Sequence, residues 1–215
     1  MEGNFLKTYK IHLIRHGMTD ANEQHLYIGS RTDLPLSPAG LSDLIAKKKV
    51  FEYPTGARYF TGPLMRCRQT LEVLYPGCKA EVVDGLTECD FGEWDGKPLD
   101  VLKQTPEFSD WLAGKRGDIP GGEAPLAFQE RVANSFEAVV RDLMTKGQTE
   151  AVICTHGGVI MLIMAMYGVP KAPMNEWATD TACGFTLRIT PEIWMREPVA
   201  EALCAIPWEK EKTES

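Results

Sequence analysis

The sequence predicts an α/β fold of three layers, with a mainly parallel central sheet and helices on both faces. Short apolar runs typical of buried strands alternate along the chain with longer segments whose apolar residues recur at helical spacing. Several of the strand-like runs also end at glycine, as expected where a strand turns into a helix. Such alternation is typical of parallel sheets covered by helices.

The predicted elements follow one another in a regular order. Strands are expected at 9–14, 58–61, 81–83, 151–155 and 185–189. A helical face marked by Leu64, Cys67, Leu71 and Leu74 follows the second strand. Further helices are expected at 38–51, 99–112, 126–144 and 159–167. The charged tail 209–215 is predicted to be frayed.

Composition limits the possible functions. The 215 residues predict a single domain, 1–215, and the fractions of hydrophobic and charged residues, 44% and 25%, are those of a globular protein. A net charge of −7 disfavours nucleic acid and anionic membranes as partners. Without a signal-peptide core or a run of the ~20 apolar residues that span a bilayer, a cytoplasmic location is expected. The six cysteines lack zinc spacing and are expected to be reduced thiols.

Two histidines stand where predicted strands end. His16 follows Arg15 after the first strand, and His156 follows the strand at 151–155; glycine comes next in both cases. Parallel strands bring their carboxyl ends to one edge of the sheet, where α/β proteins bind ligands. The second histidine also opens a helix, whose N-terminus favours anions. Taken singly, either histidine could merely bond a backbone carbonyl.

Cationic and acidic side chains accompany these histidines. Arg66 lies in the first turn after the second strand, so it points to the same edge, whereas one of Arg66 and Arg68 is expected to be solvated. The loop 86–96 carries four carboxylates and two aromatic residues, and an acid held against aromatic surface can serve as a general acid. The pattern by itself leaves Glu88, Asp90 and Glu93 as equal candidates.

Taken in order, four motifs resemble the histidine phosphatase superfamily, which includes phosphoglycerate mutase and α-ribazole phosphatase. They are R-H-G at 15–17, L-x-R-x-R-Q-T at 64–70, L-x-E-x-x-F-G-x-W-x-G at 86–96 and T-H-G-G at 155–158. Segments 15–22, 27–37 and 121–123 are also similar to the family, and the likeness runs from about 11 to 168. Met18 departs from the glutamate common after R-H-G, a position without a catalytic role.

The resemblance implies roles for individual residues. His16 would become a phosphohistidine, and Glu88 would protonate the leaving oxygen. Arg15, Arg66 and His156 would bind the phosphoryl oxygens with help from Asn22. Further phosphate or substrate contacts are expected from Thr19, Ile28, Gly29, Gly157 and Glu123. His16 must be neutral to attack, which predicts a carbonyl on one ring nitrogen, whereas His156 is expected to be a cation beside an acid.

The predicted activity is therefore metal-independent hydrolysis of a small phosphomonoester, with no cofactor. A phosphoglycerate mutase is the nearest alternative, but the thirty residues between Phe91 and Gly122 are few for a lid that excludes water. A phospho-ligand-binding module without catalysis is a further alternative. Five aromatic residues could line a leaving-group pocket or belong to the core: Tyr27, Phe91, Trp94, Phe108 and Trp111. His12 is expected to be structural. His25 lies in a polar loop near Tyr27 and has two interpretations, a substrate contact or no functional role. The oligomeric state is not readable.

Overall fold

A computed structural model describes residues 7–112 and 117–210 of the chain. The strands are β1 Tyr9–Arg15, β2 Leu26–Tyr27, β3 Phe51–Glu52, β4 Arg58–Thr61, β5 Ala80–Val82, β6 Lys97–Pro98, β7 Glu150–Thr155, β8 Gly168–Val169, β9 Gly184–Ile189, β10 Ala200–Ile206 and β11 Trp208–Glu209. The helices are α1 Asp20–Glu23, α2 Pro38–Val50, α3 Met65–Leu74, α4 Leu99–Leu102, α5 Pro106–Leu112, α6 Pro125–Lys146, α7 Gly157–Tyr167 and α8 Pro191–Trp194.

Seven strands form the central sheet in the order β5-β4-β7-β1-β9-β10-β8. The pairs β5–β4, β4–β7, β7–β1 and β10–β8 are parallel, whereas β9 runs antiparallel to β1 and β10. This arrangement confirms the predicted α/β fold with its mainly parallel sheet. The small pairs β2–β6 and β3–β11 lie outside the main sheet.

Apolar residues cover both faces of the sheet, and β7 shows this by alternation. Ile153 packs into a core with the apolar faces of α6 and α7, whereas Val152 and Cys154 pack with α2 and α3 on the opposite face. A strand buried on both faces must be apolar throughout, which explains the uninterrupted run that predicted it. The sheet is thus the middle layer of three.

Two predicted elements need correction. The helix predicted over 99–112 is divided into α4 and α5, because Pro106 cannot donate a backbone hydrogen bond and disfavours a helical residue before it. The predicted tail 209–215 begins too early, since Glu209 pairs with Phe51 and the Lys210 ammonium donates to two carbonyls at the end of α2. Residues 211–215 lie outside the described residues.

The sequence analysis also missed β10, which pairs with β9. Its alanines and glutamate have low strand propensity, so tertiary pairing outweighs local preference there. All six cysteines are free thiols, as expected. Within residues 7–112 and 117–210, none of the helices combines the length and the apolar character needed to cross a bilayer.

The register of the parallel strands brings three turns to one edge of the sheet. Arg15 lies opposite Thr155, and Thr61 lies opposite Cys154. The residues after β1, β4 and β7 therefore emerge side by side. His16 and Gly62 donate backbone hydrogen bonds to carbonyls of β7, at 2.9 and 3.0 Å, which extends the pairing into these turns.

Candidate active site

His16 lies directly after β1 and has one ring nitrogen tied down. Its Nδ1 donates to the Gly17 carbonyl at 2.7 Å, which is the carbonyl partner that the sequence analysis predicted. That tautomer leaves Nε2 unprotonated and available as a nucleophile. The side chain is 6% exposed. Burial, with the nearby Arg66 and Arg15 guanidinium groups, lowers the pKa of His16 well below its usual value, so the ring is neutral at neutral pH.

Two arginines from different turns lie close enough to His16 to influence its pKa. Arg66, in the first turn of α3, is 2% exposed and donates to the carbonyls of Thr32 and Gly29 at 3.0 and 3.1 Å. Arg15 donates from Nη1 to the Thr179 carbonyl at 2.6 Å, while its buried Nε has no partner among the described residues. A buried guanidinium with an unused N–H is suited to an anionic oxygen.

Glu88 belongs to the loop after β5 and lies at the same site as His16 and the two arginines. Its Oε1 accepts from the Cys89 N–H and its Oε2 from the Gly158 N–H, both at 3.0 Å. A Cβ at position 158 would lie 2.4 Å from Oε1, so glycine is required for this approach. Burial raises the pKa of Glu88 against the opposing effect of these hydrogen bonds. The raised pKa favours a protonated acid, and of the three candidate carboxyls only this one lines the cleft described below.

His156 completes the group but lacks the acid that was expected beside it. Its ring centroid lies 5.3 Å from that of His16, and the side chain is fully buried. Burial, then His16 and Arg66, lower the pKa of His156 well below its usual value. Its side-chain contact within the described part of the chain is the Cys67 thiol, 3.5 Å from Nε2. No carboxylate of that part bonds the ring, so the expected acid partner is not found there, and the lowered pKa favours a neutral His156 before substrate binds.

Four of these residues, Arg15, His16, Arg66 and Glu88, line a cleft of about 190 Å³, here named the phosphate cleft, whereas the fully buried His156 is not among its lining residues. Its lining residues are Arg15, His16, Thr19, Asn22, Leu26, Tyr27, Ile28, Arg66, Glu88, Phe91, Gly157, Gly158, Met161, Ala178 and Thr179. The sequence analysis expected Thr19, Asn22, Ile28 and Gly157 to contact phosphate or substrate, and all four lie there. Thr19 caps α1, and its N–H and hydroxyl donate to the side-chain oxygen of Asn22. The side-chain NH₂ group of Asn22 therefore remains available as a donor.

A neutral imidazole near two guanidinium groups, with an acid of raised pKa lining the same cleft, is an arrangement suited to phosphoryl transfer. Residues 11–197 match the sequence pattern of the histidine phosphatase superfamily (branch 1). The chain belongs to the histidine phosphatase superfamily. It is accordingly an enzyme of the phosphatase type.

Several known proteins are similar to most of the chain. Adenosylcobalamin/alpha-ribazole phosphatase of Salmonella typhimurium is 24% identical over 179 residues, which are 81% of this chain and 87% of that protein. The alpha-ribazole phosphatase structure from Shigella flexneri superposes with a TM-score of 0.69 at 26% identity, covering 83% of this chain and 89% of the other. Agropine synthesis reductase of Rhizobium rhizogenes is 26% identical over 171 residues, 74% of this chain but only 35% of that longer protein.

Two residues that were expected to contact substrate lie outside the phosphate cleft. The Gly29 carbonyl binds Arg66, and a Cβ there would lie 2.2 Å from the Cys89 carbonyl oxygen, so Gly29 positions the arginine. The Glu123 carboxylate is held by the Arg131 guanidinium, with its two oxygens 2.9 and 2.7 Å from Nε and Nη2. Neither residue is among those that line the phosphate cleft, and each has a polar group already bound to an arginine.

The structure adds Arg131 and Thr70 as positioning residues that the sequence analysis missed. Besides binding Glu123, Arg131 donates to the carbonyls of Gly85, Thr87 and Glu88 and so braces the loop that carries the acid. The Thr70 hydroxyl accepts the Gly17 N–H at 2.8 Å and fixes the carbonyl that orients His16. No local signal distinguishes such residues, since their partners come from distant segments.

The open alternatives for other residues are now resolved. His12 is buried and structural, as predicted, and the exposed His25 does not line the phosphate cleft. Arg68 is the exposed member of the arginine pair. Among the five aromatic residues, Tyr27 and Phe91 line the phosphate cleft, and Phe91 also belongs to the core together with Trp94 and Phe108. Trp111 lines an adjoining cavity.

Proposed function

We propose that this enzyme hydrolyses a small phosphomonoester in two steps through a phosphohistidine at His16. The observation that carries the proposal is the tautomer of His16. With Nδ1 donating to the Gly17 carbonyl, the unprotonated Nε2 is available beside two guanidinium groups. A metal-independent reaction is part of the proposal, because Arg15 and Arg66 can neutralise the charge on the phosphoryl oxygens.

In the first step, the lone pair of His16 Nε2 forms a bond to phosphorus while the ester P–O bond breaks. The electron pair of that bond goes to the leaving oxygen, which takes the proton of the Glu88 carboxyl and departs as an alcohol. Arg15, Arg66 and the Asn22 amide bind the phosphoryl oxygens. A dianion bound at His16 favours the protonated form of His156, whose ring centroid lies 5.3 Å from that of His16, so this ring adds positive charge near the phosphoryl group when substrate binds.

In the second step, a water molecule attacks the phosphohistidine and the P–N bond breaks. Its electron pair returns to Nε2, and the Glu88 carboxylate takes a proton from the water, which regenerates the starting state. Hydrolysis is favoured over a mutase reaction because the described residues between Phe91 and Gly122 form only short elements: a 3-10 turn at Gly92–Trp94, the two-residue strand β6 and the helices α4 and α5. Water can then compete with a bound alcohol for the intermediate.

The test is to trap the intermediate with a radiolabelled phosphomonoester. The wild-type protein should retain label that is stable to base and labile to acid, whereas His16→Ala should retain none. His25→Ala serves as the matched control, since that histidine is exposed and lies outside the phosphate cleft. Undiminished turnover by His16→Ala would overturn the proposal.

Phosphate release should then be measured across nucleotides, sugar phosphates, phosphoglycerates and ribazole phosphate, with and without a chelator. The relatives named as alpha-ribazole phosphatases make the last ester a natural member of this series. Activity that survives the chelator supports the role of the two arginines. Isomerisation of phosphoglycerate without phosphate release would favour the mutase alternative instead.

A further inference from the structure

The Arg66 guanidinium is oriented by two backbone carbonyls of one short loop. Its Nη1 donates to the Thr32 carbonyl at 3.0 Å, and its Nη2 donates to the Gly29 carbonyl at 3.1 Å. A guanidinium has five N–H groups, so these two bonds leave the others available for phosphoryl oxygens. The orientation of Arg66 therefore depends on where the loop 29–32 holds these two carbonyls.

The Asp95 carboxylate binds the same two residues through different groups. Its Oδ2 accepts the Gly29 N–H at 3.0 Å, and its Oδ1 accepts the Thr32 hydroxyl at 2.6 Å. Hydrogen bonds to a carboxylate are among the stronger ones in proteins. Each of the two residues that hold Arg66 is thus itself held by one oxygen of Asp95.

Asp95 is anchored by its neighbours on both sides along the chain. Trp94 is 5% exposed, and its ring packs against that of Phe108 with the centroids 5.2 Å apart. On the other side, the Gly96 N–H donates to the Tyr27 carbonyl at 2.8 Å. A carboxylate between two anchored neighbours is a rigid support, and rigid supports position functional groups more precisely.

Two other contacts keep the loop in place independently of this carboxylate. The Ser30 N–H donates to the Cys89 carbonyl at 3.1 Å, and the Asp33 carboxylate accepts the N–H of Met65, the first residue of α3, at 2.7 Å. Neither contact involves Asp95, so we expect the loop to stay attached when Asp95 is replaced. What Asp95 adds is the placement of the two carbonyls.

We propose that Asp95 is a positioning residue for phosphate binding, which fixes the orientation of the Arg66 guanidinium through Gly29 and Thr32. Asp95 does not line the phosphate cleft, so it acts through the arginine and not on the substrate. This inference rests on the proposed function, because it requires that Arg66 binds the phosphoryl group. Misplacing such a group by about 1 Å can cost on the order of a hundredfold in rate.

The first test measures the affinity for inorganic phosphate by phosphorus NMR titration, which needs no turnover. Asp95→Ala should weaken phosphate binding about tenfold, because both of its bonds to the loop are lost. Asp95→Asn keeps an oxygen for the Gly29 N–H and an NH₂ group for the Thr32 hydroxyl oxygen, so it should recover most of the affinity.

Glu93→Ala is the matched control for Asp95→Ala. Glu93 lies in the same turn, is exposed and does not line the phosphate cleft. This variant should bind phosphate as tightly as the wild-type protein. A loss as large as that of Asp95→Ala would mean that any carboxylate of this turn has the same effect, which contradicts the proposal.

The second test separates positioning of Arg66 from a general effect on folding. Arg66→Lys keeps a cation but lacks the planar fork that the two carbonyls hold. If Asp95 acts through Arg66, adding Asp95→Ala to Arg66→Lys should weaken phosphate binding by less than about threefold, so the two changes are not additive. A merely structural effect would weaken binding about tenfold in either background.

Thr32 provides a third test that leaves the carboxylate intact. Thr32→Val removes the hydroxyl but keeps the shape of the side chain, so it should weaken phosphate binding about threefold. Thr32→Ser keeps the hydroxyl and should lose less affinity than Thr32→Val. Should Asp95→Ala fail to fold, this pair of variants decides the question.

The outcomes separate this inference from the proposed function. If Asp95→Ala binds phosphate like the wild-type protein, or if its loss is the same in the Arg66→Lys background, the inference is wrong while the phosphohistidine reaction stands. Equal losses in Thr32→Val and Thr32→Ser would also overturn it. If the wild-type protein binds no phosphate and forms no phosphohistidine, the proposed function fails and the inference fails with it.

Discussion

The interior of β1 and its carboxyl end each carry a buried histidine, and the two differ in what their ring nitrogens bind. His12 is 1% exposed, with Nδ1 2.9 Å from the Thr186 hydroxyl and Nε2 3.1 Å from the Glu150 carboxylate. His16 is 6% exposed and has only Nδ1 engaged, by the Gly17 carbonyl. Burial is the largest cause of a lowered pKa in both.

This difference teaches that burial and a shifted pKa do not by themselves identify a catalytic histidine. The His12 ring has partners on both nitrogens and so contributes to folding. The His16 ring has one orienting partner and a second nitrogen at a cleft with two arginines. The free ring nitrogen of His16, and not its lowered pKa, is the feature that a reaction can use.

The largest expected effect comes from exchanging each histidine for glutamine. His16→Gln should lower kcat at least about 10⁴-fold, because the nucleophile is lost. His12→Gln should leave kcat almost unchanged but lower the free energy of unfolding by about 1–3 kcal/mol, since a buried hydrogen-bonding partner is left unpaired. Phosphate release and denaturant unfolding measure the two quantities. A large loss of kcat in both variants would contradict the comparison.

A smaller effect is expected when the acid opposite His16 is removed. Activity needs His16 neutral, which holds above its lowered pKa, and Glu88 protonated, which holds below its raised pKa. The rate should therefore fall as pH rises through the pKa of Glu88. Glu88→Gln should abolish this alkaline decline and lower kcat for benzyl phosphate about 10²-fold or more.

The matched substrate for this variant is 4-nitrophenyl phosphate, whose leaving group departs without a proton. Its kcat should fall much less in Glu88→Gln than that of benzyl phosphate. Asp90→Asn is the control carboxyl, because Asp90 lies outside the phosphate cleft and binds Arg31. Equal losses for both esters would show that Glu88 does not protonate the leaving oxygen.

The smallest effect concerns stability against acid. The pKa of His12 is lower in the folded chain than its value of 6.5 when unfolded, so the unfolded chain binds the extra proton first. Stability should therefore fall as pH drops below about 6.5. His16 and His156 act with the same sign, whereas the raised pKa of Glu88 acts with the opposite sign.

His12→Gln should accordingly reduce the slope of unfolding free energy against pH by at most about 1.4 kcal/mol per pH unit, the contribution of one proton. Urea unfolding at several pH values between neutrality and mild acid measures this slope. Lys79→Gln serves as the control, because Lys79 is exposed and is not among the charged groups that act on His12. An unchanged slope in His12→Gln would mean that the ring does not stay neutral in the folded chain.

Much of the architecture was predictable from local patterns. The strands β1, β4, β7 and β9 were expected to within one residue, because each contains a short apolar run and glycine follows the first three within two residues. The strand β10 and the division at Pro106 were missed. In β10, pairing with β9 outweighs weak local propensity, and this contact lies outside any sequence window.

The candidate site likewise contains residues that the sequence predicted correctly and residues whose contacts it did not predict. Residues 15–17 and 155–158 were predicted to belong to the site because they lie at strand ends. The order of the motifs along the sequence indicated the family. Gly29 and Glu123 stood in similar motifs, yet their polar groups bind Arg66 and Arg131. A motif specifies residue types at a spacing, whereas a hydrogen-bonding partner depends on which segments meet.

The amino-acid order alone therefore determined the α/β class, the edge of the sheet where function resides, and the identity of the nucleophile expected there. Tertiary structure decided which nitrogen of His16 is free and which of the three candidate carboxyls lines the same cleft. The physical reason is the distance along the sequence over which each interaction acts. Strand and helix periodicity arise between near neighbours, whereas burial and hydrogen-bond pairing join residues such as Glu88 and Gly158, seventy positions apart.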